Sequence, residues 1–135
     1  MSFELQPIGR VESSISDVED APRQGDEGAP DAVIVFDGGV AEAMADLRAG
    51  DEILVFTWLH QARRDVQSVH PRGDQRRPVE GVFSTRSPDR PNPIGLHRVR
   101  VLSVAGTRVT VSDLEAVDGT PVVDVKPVLE RLGER

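Results

Sequence analysis

The segment from Gly81 to His97, GVFSTRSPDRPNPIGLH, sets Arg86, Arg90 and Asn92 among three prolines, Pro88, Pro91 and Pro93. Each proline fixes φ near −65° and holds the residue before it in extended backbone, so Ser87, Arg90 and Asn92 belong to a stiff loop and not to a helix. Two guanidiniums and an amide on a rigid frame suit an anionic or planar polar ligand. The same spacing also fits a rigid turn whose arginines face water. Two further polar sets lie at the ends of apolar runs. His60-Gln61 closes EILVFTWLH, and Asp118-Gly119-Thr120 precedes a strand-like stretch in which Lys126 comes just before Pro127. Each has a plain structural alternative: a strand cap for His60, a tight turn for the Asp-Gly-Thr run, a solvated strand end for Lys126.

Other chemistries are excluded by what the chain lacks. It has no cysteine, so disulfides, thiolate zinc, iron–sulfur clusters and a cysteine nucleophile are ruled out. His60, His70 and His97 follow no ligand spacing, and no metal site is expected. There is no GxGxxG after a strand, no GxxxxGK[ST] and no GxSxG. Ser84, Thr85 and Ser87 flank Arg86 without a local His–acid pair to activate a hydroxyl. The net charge of −7 argues against nucleic acid, yet nine arginines stand against four acidic residues between His60 and Arg100. That basic middle fits one local polyanion-facing surface, or an arginine-rich solvated loop.

The elements that must position these groups are mostly strands. At 135 residues the chain is one domain. Glu4–Ser13 predicts a short strand about Gly9, and Ser14–Asp31 a long polar loop. Ala32–Phe36 is β-rich. Val40, Ala43, Met44 and Leu47 share one helical face and predict a short helix, stopped by Ala49-Gly50-Asp51. Glu52–His60 is almost continuously apolar, the pattern of a strand buried on both faces. Gln61–Glu80 predicts a second long loop, and two such loops in a small domain suggest closure over a ligand. His97–Val104 alternates, turns at Ala105-Gly106 and pairs with Thr107–Ser112 as a hairpin. Leu114–Pro121 is a turn-rich connector and Val122–Lys126 a last strand. At least six strands and one short helix predict an antiparallel barrel. The N-terminus lacks a signal-peptide pattern and no run approaches the roughly 20 apolar residues of a membrane span, so with no cysteine the expected compartment is the cytoplasm, away from any membrane.

GVFSTRSPDRPNPIGLH followed by VDGTPVVDVKP, with the Pro22-Arg23-Gln24 loop, resembles the TsaA/TrmO-like family, S-adenosylmethionine-dependent methyltransferases that modify a tRNA adenosine beside the anticodon. The resemblance runs from PIGRVES to DVKPVL. It implies a mainly β, single-domain antiparallel β-barrel and a homodimer with the cofactor near the subunit boundary. By motif it implies that Pro22, Arg23, Gln24, His60, Gln61, Arg86, Leu96 and the backbone of Leu114, Glu115, Ala116 and Val117 line the S-adenosylmethionine pocket. Arg90, Asn92, Asp118 and Lys126 then lie nearest the acceptor, the exocyclic amine of a threonylcarbamoyl-modified adenosine. On this reading Arg86 or Arg23 pairs with the cofactor carboxylate, and Asn92 or Asp118 accepts a hydrogen bond from the amine. Phe83 and Trp58 either stack on adenine or pack in the core. The chain departs from the family pattern at His97, where Ser is usual, and at Val128, where Tyr is common. A methyltransferase of the same fold acting on another RNA or a small molecule, and a non-catalytic cofactor-binding module, stay open beside the tRNA enzyme.

Overall fold

Buried and exposed side chains alternate along six segments, the period-two mark of strands with one face on a core. The computed structural model describes residues 1–16 and 29–129. The strands β1 (Gly9–Glu12), β2 (Ala32–Phe36), β3 (Glu52–Trp58), β6 (Ile94–Ala105), β7 (Arg108–Val111) and β8 (Pro121–Pro127) close into an antiparallel barrel in the order β1-β2-β7-β6-β3-β8. Pairing of Gly9 with Val122 and Arg10 with Pro121 completes the ring, so no long strand is left with an open edge. Two short strands, β4 (Ser68–Val69) and β5 (Glu80–Gly81), form a separate ribbon.

The interior is packed with β-branched residues, among them Val11, Ile34, Val55, Val99, Val109 and Val122, all nearly inaccessible to water. Such side chains suit the pleated surface of a strand. Two register shifts, in β3 against β8 at Phe56/Thr57 and in β6 against β7 between Val101 and Ser103, bend the sheet where closure demands curvature. The hairpin turn is Gly106-Thr107, one residue later than its sequence suggests, with Gly106 at φ 62°.

Three expectations are corrected. The Val40–Leu47 segment is not an α-helix. Gly38–Val40 is a 3₁₀ turn, and Ala43 N to Val40 O (3.0 Å) and Leu47 N to Met44 O (3.1 Å) continue the i−3 spacing. So short a segment nucleates an α-helix poorly on its own, and its apolar face is satisfied by packing Val40, Met44 and Leu47 against the core. The strand β3 is buried on one face only: Ile53, Val55 and Thr57 point inward, while Leu54, Phe56 and Trp58 lie half-exposed outside. The 61–80 stretch is not featureless, because it holds β4 and a 3₁₀ turn at Pro71–Gly73 and delivers the chain to β5. The earlier long loop, Ser14–Asp31, falls largely outside the described residues.

Strand directions gather the polar motifs at one end of the barrel. The ends of β1, β3 and β7 and the starts of β2, β6 and β8 lie together there, so Ser13–Ser16, the His60-Gln61 turn, the proline loop and the 112–120 connector all emerge on that side. Gly95, at the start of β6, is essential to this end. A Cβ there would overlap Thr57 Oγ1 and come within 2.8 Å of His97 Nε2. Gly95→Ala is therefore expected to destabilise the barrel by about 1–3 kcal/mol, the range for overpacking a filled interior, measurable by denaturant unfolding.

Candidate cofactor and acceptor site

The proline loop is tied down by arginines that belong to it or precede it. Arg63 N donates to Asp89 Oδ1 at 2.9 Å, and Arg90 N donates to Arg63 O at 3.0 Å. Arg90 Nη1 turns back onto its own loop, donating to Thr85 O (3.1 Å) and Ser87 O (3.0 Å), so its guanidinium braces the segment. Arg64, which the sequence does not single out, spans the gap to β3. Its guanidinium lies 5.1 Å over the Trp58 ring and donates to Pro91 O (2.8 Å) and Asn92 Oδ1 (2.7 Å). No local pattern announces this contact, because the partners are 27 and 28 residues apart.

Arg64 also fixes which way the Asn92 amide is turned. A guanidinium only donates, so the amide atom facing it is the carbonyl oxygen, and the exposed remainder of Asn92 is its NH2 group. The oxygen keeps a second lone pair, so the side chain presents both the NH2 donor and a remaining acceptor site to a ligand. Asp118 is placed differently: its Oδ1 accepts from Ser13 N at 3.0 Å, and Oδ2 has no partner among the described residues.

The expected cofactor residues mostly assemble at the same end. Arg86 is exposed and has no hydrogen-bond or ion-pair partner among the described residues. His60 and Gln61 are exposed just beyond β3, and Leu96 lies on the outer face of β6 opposite Phe56. Pro22, Arg23 and Gln24 lie outside the described residues. Phe83 is 83% exposed and is not core, whereas Trp58 is half-buried under Arg64.

The 112–120 connector lids the barrel. Leu114, Ala116, Val117 and Thr120 are buried, and Leu114 N, Asp118 N and Gly119 N donate to Pro30 O, Ile15 O and Val11 O at 3.1, 2.6 and 2.7 Å. Thr120 Oγ1 donates to Val117 O at 2.7 Å. Between these ties, the N–H groups of Glu115, Ala116 and Val117 and the carbonyls of Leu114, Glu115 and Ala116 make no hydrogen bond among the described residues. Backbone polar groups in a lid segment seek partners, and an uncommitted strip of donors and acceptors is what a heteroaromatic edge would use.

Lys126 stands apart. It pairs with Leu54 in the β3–β8 register, four residues back along β3 from Trp58, and its Nζ lies 3.3 Å from Asp124 Oδ2. It borders an open groove of about 970 Å³ at the other end, lined by Phe36, Met44, Leu47 and Leu129. Within one chain it is not brought together with Asn92 and Asp118. The basic middle is also partly neutralised: Arg63 pairs with Asp65, Arg76 with Asp74, and Arg98 and Arg100 with Glu52. The guanidiniums beside Asp65 and Asp74 hold both carboxyls below their usual range.

The sequence marks His97 as a departure from the family pattern without showing what the side chain does. His97 is buried, with Nε2 2.7 Å from Thr57 Oγ1 and Nδ1 2.7 Å from Glu115 Oε1. A signal for it was present: His97 shares the parity of the inward-facing Val99 and Val101.

A closed antiparallel barrel with a braced proline–arginine loop and a free backbone strip at one end defines a cofactor-binding barrel domain, built without a parallel sheet or glycine-rich turn. The chain belongs to the tRNA-methyltransferase O N-terminal domain family, whose model matches residues 10–133. It is similar to a probable S-adenosyl-L-methionine-binding protein of Methanothermobacter thermautotrophicus, 40% identical over 130 residues that cover 96% of this chain and 93% of the relative. An S-adenosyl-L-methionine-binding protein of Archaeoglobus fulgidus is 42% identical over 123 residues, covering 90% and 86%. Among solved structures, one of TrmO superposes with a TM-score of 0.77 at 29% identity, covering all of this chain and 63% of that one. The TrmO structure from Pseudomonas aeruginosa gives 0.76 at 27% identity, with 100% and 61% coverage. The chain thus spans about three-fifths of the length of these solved relatives.

Proposed function

We propose that this chain is an S-adenosylmethionine-dependent methyltransferase that methylates the exocyclic amine of a threonylcarbamoyl-modified adenosine beside the tRNA anticodon. The observation that carries the reading is the meeting, at one barrel end, of the Arg86 cation and the 114–117 backbone strip, neither of them with a hydrogen-bond partner among the described residues for the groups in question. S-adenosylmethionine presents the matching groups, an amino-acid carboxylate and an adenine edge. Arg86, with Arg23, suits the carboxylate as a forked, charge-assisted partner. The strip suits the adenine, and His60, Gln61 and Leu96 border the pocket.

When bound, the cofactor supplies an electrophilic methyl group on a sulfonium, so the protein's task is mainly alignment. The Asn92 NH2 donates to a ring nitrogen of the acceptor base and fixes its plane. Asp118 Oδ2 accepts from the exocyclic amine, raising electron density on its nitrogen, and takes up the proton as the product forms. Arg90 keeps the loop rigid from within.

The homodimer belongs to the same proposal. Leu54, Phe56 and Trp58 on β3 and Ile94 and Leu96 on β6 form an outward apolar row, with Ile94 45% and Leu96 38% exposed. A second copy covering this row would account for a strand whose sequence is apolar on both faces, and would place a subunit boundary beside Leu96. Lys126, next to that row, meets the acceptor only across such a dimer. Phe56→Glu is expected to convert the dimer to monomers in sedimentation at micromolar protein, and a wild-type monomer there would contradict the assignment.

Incubation with methyl-labelled cofactor and bulk tRNA, followed by nucleoside analysis, tests the reaction. Label in an N6-methylated adenosine derivative is expected. Cofactor binding with label in no nucleoside would favour the second reading, a smaller acceptor on the same fold, to which the local pairing of Arg63, Arg76, Arg98 and Arg100 lends weight. A tRNA substrate and the lack of cysteine support a cytoplasmic location, and no helix among the described residues is long and apolar enough to cross a membrane.

A further inference from the structure

Three polar side chains from distant parts of the chain form a buried line beneath the lid. Thr57 of β3 is fully buried, the His97 ring of β6 is 4% exposed, and the Glu115 side chain in the connector is 10% exposed. Oγ1 of Thr57 lies 2.7 Å from His97 Nε2, and His97 Nδ1 lies 2.7 Å from Glu115 Oε1. An ionised carboxylate only accepts, so Nδ1 carries a proton and donates to Glu115. With the ring neutral, Nε2 accepts from the Thr57 hydroxyl, and no buried side-chain polar atom among the described residues is left unpaired. The order Thr–His–Glu is that of a nucleophile, a base and its orienting acid, but the burial of Thr57 shuts its hydroxyl off from any substrate.

Such a line is expensive to bury unless every member is paired, and an apolar trio would fill the same space. Its placement gives it a use. Glu115 is the first residue of the run whose N–H groups are uncommitted, and its side chain is the polar anchor that draws the middle of that run toward the barrel interior. Leu114 and Asp118, at the margins, are fixed by their own backbone ties to Pro30 and Ile15. Gly95 leaves the room the ring and hydroxyl occupy.

We propose that His97 and Glu115 are a positioning pair that holds the 114–117 backbone in the register needed to read the adenine edge of the cofactor. The inference rests on the reading that this strip faces the cofactor. Adenine offers an accepting N1 and a donating amine, whereas hypoxanthine offers a donating N1–H and an accepting oxygen. A strip held in place distinguishes the two, and a loosened strip adapts to both.

Calorimetric binding of S-adenosylhomocysteine and S-inosylhomocysteine to the full chain tests this. Wild type is expected to prefer the adenosyl compound. His97→Ala and Glu115→Ala are each expected to weaken its binding about tenfold and to narrow the preference, with the double variant no worse than either single one. Glu115→Gln, whose Oε1 still accepts from Nδ1, is expected to stay within about threefold of wild type. General destabilisation would weaken both ligands alike and leave their ratio unchanged, which would overturn the proposal, as would a folded Glu115→Ala with wild-type affinity and preference. A wild type that binds both compounds equally would instead overturn the reading beneath it. Should the alanine variants not fold, the wild-type histidine ¹H–¹⁵N spectrum decides the pairing: a proton on His97 Nδ1 is expected, and a bare Nδ1 refutes it.

Discussion

Arg86→Ala is expected to weaken S-adenosylmethionine binding about ten- to a hundredfold while leaving the unfolding free energy unchanged. A hydrogen bond to a charged group contributes about 1.5–3 kcal/mol, and each 1.4 kcal/mol is a factor of ten in affinity. Arg86 is exposed and makes no hydrogen bond or ion pair with a described residue, so its loss removes no polar tie among them. Other arginines nearby are already engaged: Arg64 on Asn92 and Trp58, Arg90 on the carbonyls of Thr85 and Ser87, Arg63 on Asp65. Arg86→Lys is expected to recover only part of the affinity, since an ammonium lacks the fork that meets both carboxylate oxygens. Calorimetry with the cofactor and its demethylated product measures both. Wild-type affinity in Arg86→Ala would move the carboxylate to another cation, with Arg23 the one to change next.

The strands were legible because alternation is local. Val99 and Val101 against Arg98 and Arg100 set the face of β6, and the break at Gly106 set its hairpin. His97 shares the inward parity of Val99 and Val101, a signal its sequence neighbourhood does not single out, and its partners Thr57 and Glu115 lie 40 and 18 residues away, where only closure of the barrel brings them together. The proline loop was recognisable as rigid from Pro88, Pro91 and Pro93. What each of its polar groups does was not, because that depends on Arg64, contributed by another loop. The short helix failed for a physical reason: an apolar stripe at Val40, Met44 and Leu47 satisfies a 3₁₀ turn pressed on a barrel as well as it does an α-helix. At β3 a continuous apolar run points to burial on both faces, but a single chain covers only the face of Ile53, Val55 and Thr57 and leaves Leu54, Phe56 and Trp58 partly exposed.

The sharpest separation of binding from transfer is expected at Asn92. Asn92→Asp keeps the size of the side chain and strengthens the contact to Arg64, replacing an amide oxygen 2.7 Å from the guanidinium with a carboxylate. The loop frame, held by Arg64 on Pro91 O and by Asp89 on Arg63 N, is preserved. What disappears is the NH2 donor, and a carboxylate oxygen takes its place facing the acceptor base. Removing one well-placed donor slows a reaction about a hundred- to a thousandfold, and a small misplacement of a reacting group does as much. The transfer rate in Asn92→Asp is therefore expected to fall by about two orders of magnitude, with cofactor affinity within about twofold of wild type. Arg64→Gln approaches the same point from behind. It frees the Asn92 amide to rotate, so the rate is expected to fall less than in Asn92→Asp, and restoring the donor side by chance rotation leaves measurable turnover. Single-turnover transfer with the acceptor identified by nucleoside analysis, beside calorimetry for the cofactor, separates the two quantities. A variant Asn92→Asp that transfers at the wild-type rate would show that the amide orients the loop and not the base, and Asp118 would then carry recognition of the acceptor without it.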